Sequence, residues 1–281
     1  MLGEVFRAVV AAVTAVAVAT PADGPQQRER PLDSPVVGAD VSWPNCPKGL
    51  GMKARPALGK PLPRADARFV VIGLTNGPAF HPNPCLVSQV AYAAERGLHA
   101  SAYAVVTYPT RSQLRAYGDG SADTPQGQGR LWNTGYAQAR QNVDVMRSAG
   151  LDSPAVWLDV EPVTPPAPWS KRPKRNREVV DGALAAYRDA GLDVGFYSVR
   201  SLWRQVLGGA GWGLPEWRSA GPQDRAAALA MCRQGSFNGG PAVLAQWWDD
   251  HRDHDVLCPG TPPADVLDRW FVDLAADAPA P

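Results

Sequence analysis

The chain has 281 residues, 45 % of them hydrophobic, and its 28 Lys and Arg against 27 Asp and Glu leave a formal net charge of +1. Such a length and apolar content suit one domain with a large core, since barrels of roughly 200 to 250 residues are ordinary single domains. Lys and Arg are interspersed with Asp and Glu and build no basic stripe, which argues against a nucleic-acid partner.

Arg7 precedes an Ala- and Val-rich run that ends in the small residues Ala17-Val18-Ala19, the pattern of an export signal peptide over residues 1–19. The run is short for a membrane span, so no stable insertion is expected after processing. Residues 20–35 are rich in Pro, Arg and Gln and poor in apolar residues, which marks a linker. The folded domain is expected over 36–281.

Val36 to Val41 reads as the first strand, and Phe69 to Thr75, an almost unbroken apolar run, as a second strand buried on both faces. Between them lies a Pro- and Gly-rich loop. Leu86, Val90, Ala93 and Ala94 fall at helical spacing within 85–97, and His99 to Thr107 returns to strand. Residues 108–130 are too polar for core. A helix is expected over 131–148, stopped by Gly150.

The run Ala155-Val156-Trp157-Leu158-Asp159-Val160-Glu161-Pro162 follows, then a Pro- and Lys-rich loop over 163–174. Further helices are expected at 177–190, 201–207 and 223–231, and further strands at Val194–Ser198, Glu216–Ser219, Val243–Trp247 and Trp270–Val272. Strands separated by helix-length segments, about eight rounds over roughly 240 residues, predict a single α/β domain: a parallel (β/α)8-type (TIM) barrel with some helices short or missing. A doubly wound open sheet is the runner-up. No glycine-rich phosphate motif follows a strand, so its dinucleotide-binding version is unsupported and no cofactor is expected.

In an extended strand alternate side chains share a face, so Asp159 and Glu161 point the same way, roughly 7 Å apart. Two acids on one inward face repel, which suits a general acid and a charged partner. In such barrels catalytic groups stand at the carboxyl ends of strands. Asp40, Asp159 with Glu161, Tyr197, and Gln246 with Trp247 all fall where a strand runs out. Glu161 is expected to hold its proton while Asp40 and Asp159 stay charged. Trp43, Trp247 and Trp248 have the flat faces on which sugar rings stack, the first two being preferred, whereas Phe69, Trp157 and Phe196 read as core. His251 and His254 fall in a charged loop and read as solvated side chains.

Cys46, Cys85, Cys232 and Cys258 form an even set without a C-x-x-C pair, and no His stands at ligand spacing beside them. Disulfides are therefore expected and a metal is not. Of the three pairings, Cys46 with Cys85 and Cys232 with Cys258 would lie in loops after neighbouring barrel strands.

Gly38-Ala39-Asp40-Val41-Ser42, Trp157-Leu158-Asp159-Val160-Glu161, Gly195-Phe196-Tyr197-Ser198 and Ala245-Gln246-Trp247 with Asp253-His254-Asp255 beyond it occur in the order and on the strands that resemble glycoside hydrolase family 25, the lysozymes that cut peptidoglycan. The resemblance spans Val36 to about Leu257. It implies Glu161 as proton donor, Asp159 supporting the charge or the sugar N-acetyl group, and Asp40 lining the same cleft, with Tyr103 and Tyr197 at aromatic cleft positions. The family's last acid stands in a D-x-N pattern. Here Asp253 and Asp255 both offer it, and Asp253 is preferred.

The expectation is a secreted or cell-wall-associated monomer that hydrolyses peptidoglycan or another aminosugar polymer. The alternative, from another class, is a non-catalytic glycan-binding or cell-wall-binding domain that keeps the barrel.

Overall fold

The computed structural model describes residues 35–162 and 169–274, so the expected signal peptide, nearly all of the linker and part of the Pro-rich loop lie outside the described residues. Eight strands close into a barrel: β1 (Val37–Val41), β2 (Phe69–Gly73), β3 (His99–Val105), β4 (Ala155–Asp159), β5 (Asp193–Ser198), β6 (Glu216–Ser219), β7 (Ala242–Trp248) and β8 (Asp253–Leu257). Neighbours from β1 to β7 pair parallel. The expected barrel is therefore present, with one correction. The segment read as a charged loop is β8, and it runs antiparallel to both β7 and β1. A tight connection between β7 and β8 leaves no room for the crossover helix that a parallel return requires.

Helices α1 (Leu86–Glu95), α2 (Arg111–Tyr117), α3 (Arg130–Ser148), α4 (Pro173–Asp189), α5 (Arg200–Leu207), α6 (Arg225–Arg233) and α7 (Pro263–Trp270) occupy the connections. Between β1 and β2 there is only a 3-10 turn, Trp43–Asn45, and a two-residue hairpin. α2 was not expected. Thr110 and Gln113 cap it reciprocally, Thr110 N donating to Gln113 Oε1 at 2.8 Å and Gln113 N to Thr110 Oγ1 at 3.2 Å. The last expected strand also differs. Trp270 ends α7, and β9 is only Val272–Asp273, antiparallel to β3 outside the barrel.

Period-two alternation splits the core into two. Val70, Ile72, Val156 and Leu158 face outward onto the helices. Phe69, Val71, Ala155 and Trp157 fill the interior, which α7 plugs by stacking Trp270 on Trp157 with ring centroids 4.6 Å apart. Trp157 fits because Gly195 faces it; a Cβ there would lie 2.3 Å from the indole. α3 and α4 approach through Gly135 and Gly182, whose added Cβ atoms would each meet a carbonyl oxygen of the other helix at 2.0 Å. Both favoured disulfides are formed, Cys46–Cys85 and Cys232–Cys258.

Candidate active site at the barrel mouth

Strand direction decides what reaches the mouth. Asp40 is the penultimate residue of β1 and Asp159 the last of β4, while Tyr103, Tyr197, Trp217 and Gln246 come from β3, β5, β6 and β7. β8 runs the other way, so it offers its first residue, Asp253. Past Asp159 the chain stays extended, since Val160 N donates to Tyr197 O at 3.1 Å. Glu161 thus turns to the same side as Asp159. Together these residues line a cavity of about 340 Å³, with Trp43, Lys60 and Trp248 at its walls.

The expected set Asp40, Asp159, Glu161, Asp253, Trp43, Tyr103, Tyr197 and Gln246 lies around this one cavity. Trp247 does not. Gln246 faces inward, and alternation turns Trp247 outward, where it stacks on His254 with centroids 5.1 Å apart and borders a separate cavity with Arg64 and Arg225. Trp248, one residue on, supplies the mouth's indole in its place. His254 therefore belongs to the outer face, bonded to Asp249 at 3.0 Å. The same alternation separates the two late acids: Asp253 lines the mouth, and Asp255 lies fully buried beneath it.

Below the acids a hydrogen-bonded layer fixes their orientation. The Tyr197 hydroxyl donates to Gln246 Oε1 at 2.7 Å, and Gln246 Nε2 donates to Asp40 Oδ2 at 2.7 Å. Trp217 Nε1 donates to Asp255 Oδ1 at 2.8 Å. The Trp217 ring packs against Tyr197 and Tyr103, at 4.5 and 5.8 Å between centroids, and floors the cavity. Asp255 Oδ2, on the far side of the same carboxyl that Trp217 holds, is buried without a hydrogen-bond partner. Asp159 Oδ1 is buried with no hydrogen-bond partner.

Burial pushes all the mouth acids up. It holds Asp159 well above the usual carboxylate range, with the charges of Glu161 and Asp40 adding to it. Asp40 is raised by burial and then by Asp253, and Asp255 by burial and then by Asp40. Glu161, nearer the rim, is raised by burial to about 6. Asp40 and Asp159 were expected to stay charged around a protonated Glu161; burial instead opposes the charge on all three. Asp40 and Asp159 are the more deeply buried groups, so desolvation opposes their charge more strongly. By contrast the buried Glu216 is no site acid. Arg218 Nε at 2.7 Å and the amides of Phe237 and Asn238 satisfy it, and it fastens the 236–239 loop.

Sequence reasoning missed Ser42, Pro44, Lys60 and Trp217 at the mouth. Trp217 was legible in principle as an inward position of the short strand Glu216–Ser219. Lys60 arrives on a loop with no periodic signal. No group of acids, His or Cys among the described residues is arranged to hold a metal.

Residues 124–216, which include Asp159, Glu161 and Tyr197, match the family described as Lysozyme-like protein 1. Among solved structures the chain is similar to the bacterial lysozyme from Streptomyces coelicolor, at 17 % identity and a TM-score of 0.52 over 85 % of this chain and 98 % of that one. It is similar to a muramidase from Acremonium alcalophilum, at 15 % identity and 0.53 over 86 % and 100 %. It is also similar to a family GH25 lysozyme from Aspergillus fumigatus, at 17 % and 0.53 over 84 % and 99 %. No curated protein matches it in sequence. The expected barrel is thereby borne out as a fold, and the segment that carries the D-x-E pair matches a lysozyme-like family model in sequence.

Proposed function

We propose that the chain is an exported glycoside hydrolase of the lysozyme kind, cutting a β-linked aminosugar polymer such as peptidoglycan, with Glu161 as general acid. The observation that carries this reading is the convergence of Asp40, Asp159, Glu161 and Asp253 on one indole-walled cavity. A lysozyme-like match over the Asp159 and Glu161 segment supports it.

The chemistry asks for a carboxylic acid that is protonated near working pH and can reach the glycosidic oxygen. Glu161 combines a raised pKa of about 6 with a position near the rim. Asp159 Oδ1, buried and lacking a donor, suits the N–H of a sugar acetamido group. Trp43 and Trp248 offer apolar faces for the ring C–H groups, and the Gln246 layer keeps Asp40 oriented. Export rests on the Arg7 to Ala19 start together with two disulfides, which persist in oxidising compartments.

Release of reducing ends from purified peptidoglycan tests the reading. The parent chain should release them and Glu161→Gln should not. A parent that binds the polymer without cutting it would instead make the barrel a glycan-binding domain.

A further inference from the structure

α2 contributes no residue to the lining of the barrel mouth. Opposite it, Phe80 in the loop between β2 and α1 has φ +65°, the one non-glycine residue with positive φ among the described residues. A bulky side chain is strained there and persists only where its surroundings hold it. They do hold it. Thr75 and Pro82 form an antiparallel bridge across the loop, and Asn83 Nδ2 donates to Gly73 O at 2.8 Å. The strained backbone sets the Phe80 ring flat on Tyr117 of α2, with centroids 4.4 Å and planes 4° apart. Tyr117 nevertheless keeps 39 % of its surface exposed. α2 is fastened from α3, where Arg130 Nη2 donates to Leu114 O at 2.7 Å and Asn133 Nδ2 to Gly118 O at 2.8 Å.

Beside this stack is a cavity of about 480 Å³ that shares no residue with the mouth. Ser121, Asp123 and Thr124 border it on one side, Arg140 and Gln141 on the other. Gln141 Oε1 is buried with no hydrogen-bond partner, so it awaits a donor. A cavity of this size accommodates a small ligand. Its lining mixes an aromatic surface with hydroxyls, carboxylates, a guanidinium and an amide oxygen. An ion would meet charges of both signs, and an apolar ligand would leave the polar groups unpaired. A pyranose fits on both counts: its C–H face suits the electron-rich face of an aromatic ring, and its hydroxyls both donate and accept.

We propose that the cavity between α2 and α3 is a second saccharide-binding site, with Tyr117 as stacking platform and Gln141 as buried acceptor. The inference takes its ligand class from the proposed function, as a hold on the glycan away from the mouth. Its residues and its test are separate.

The probe is a tetramer of N-acetylglucosamine, titrated into the full chain carrying Glu161→Gln, with backbone amide signals followed by NMR. The tetramer should shift the signals of residues 116–124 and 140–141 in addition to those of the mouth. Tyr117→Ala should weaken binding at the first set about ten-fold while the mouth signals saturate as before, and Tyr117→Phe, which keeps the ring, should retain it. Gln141→Leu removes the acceptor without touching the stack and should also weaken it. Signals at 116–124 and 140–141 that stay still, or that saturate equally in Tyr117→Ala and Gln141→Leu, overturn the site. A failure of the hydrolase reading would show elsewhere, as undiminished activity in Glu161→Gln.

Discussion

Gln246 Nε2 meets Asp40 Oδ2 at 2.7 Å across 206 positions of sequence, and the other end of the same amide accepts the Tyr197 hydroxyl. β7 and β1 are not neighbours, because β8 separates them, so this bond ties the mouth together over the antiparallel strand. Removing it leaves a buried carboxyl oxygen and a buried hydroxyl unpaired. Gln246→Leu should therefore lose about 1–3 kcal/mol in urea denaturation. Gln246→Glu replaces the donor by oxygen opposite Asp40, and its loss should grow as pH rises and both carboxyls ionise.

Stability should fall as pH rises through the weakly acidic range. Glu161 moves from an ordinary value of 4.5 to about 6 on folding, so over that window the unfolded chain releases the proton and the folded chain keeps it. The sign follows: the unfolded state binds fewer protons, and stability declines with pH, by about 2 kcal/mol for this group. Asp40, Asp159 and Asp255 are raised as well and should carry the decline further. Urea midpoints measured from about pH 4 to about pH 7 check it. Glu161→Gln should flatten the first part of the curve, and a midpoint that climbs through this range would contradict the buried-acid cluster.

The sequence reading reached the barrel because its inner strands are apolar on both faces, and Phe69–Gly73 or Ala155–Asp159 can be little else. It reached Asp40, Asp159 and Glu161 because strand ends set the mouth. It lost β8, since Asp253-His254-Asp255 alternates acids with a histidine and carries a strand's period without a strand's apolar face. Inside the barrel Asp255 Oδ1 accepts from Trp217 Nε1, a partner the sequence pattern does not announce. Missing that strand also misplaced Trp247, whose direction follows from which neighbour of Gln246 faces the axis. α2 was hidden by its polarity, although Thr110 and Gln113 spell its start.

The α3–α4 approach leaves no space for a methyl group. A Cβ at Gly135 would lie 2.0 Å from Val179 O, and one at Gly182 equally near Trp132 O. Alanine should raise helix propensity by about 1 kcal/mol at either position, yet separating the helices should cost about 1–3 kcal/mol. Each single variant is therefore expected to unfold at lower temperature than the parent. A rise in Tm for Gly135→Ala would mean the two helices are not this close in solution.

All four cysteines are paired, so unfolded and unreduced protein should take up no thiol reagent. The pair Cys46–Cys85 closes a span of 39 residues between the loops that follow β1 and β2. Replacing both by serine should cost about 3–4 kcal/mol by relaxing the unfolded chain. Labelling at all four positions would remove the bridges and the main support for export.

Activity against pH should fall on the alkaline side with a midpoint near the Glu161 value of about 6, because kcat/KM reports the ionisation of the free enzyme's essential acid. Glu161→Gln should remove most hydrolysis, a loss of about 10²–10⁴. Asp159 discriminates between two origins of that limb. Were a charged Asp159 responsible for raising Glu161, Asp159→Asn would move the limb to lower pH. Burial is the cause that raises Glu161 to about 6, and it raises the deeper Asp159 as well. Residual activity in Asp159→Asn should therefore keep its limb near the parent's, with the loss appearing in kcat because an amide N–H donor replaces one carboxyl oxygen and the group can no longer ionise. The reverse coupling has the opposite outcome. With Glu161→Gln the charge that helps raise Asp159 is gone, and the Asp159 carboxyl, followed by carbon-detected NMR, should ionise at lower pH than in the parent. An Asp159 titration unmoved by Glu161→Gln would sever the pair and with it the assignment of Glu161 as the acid.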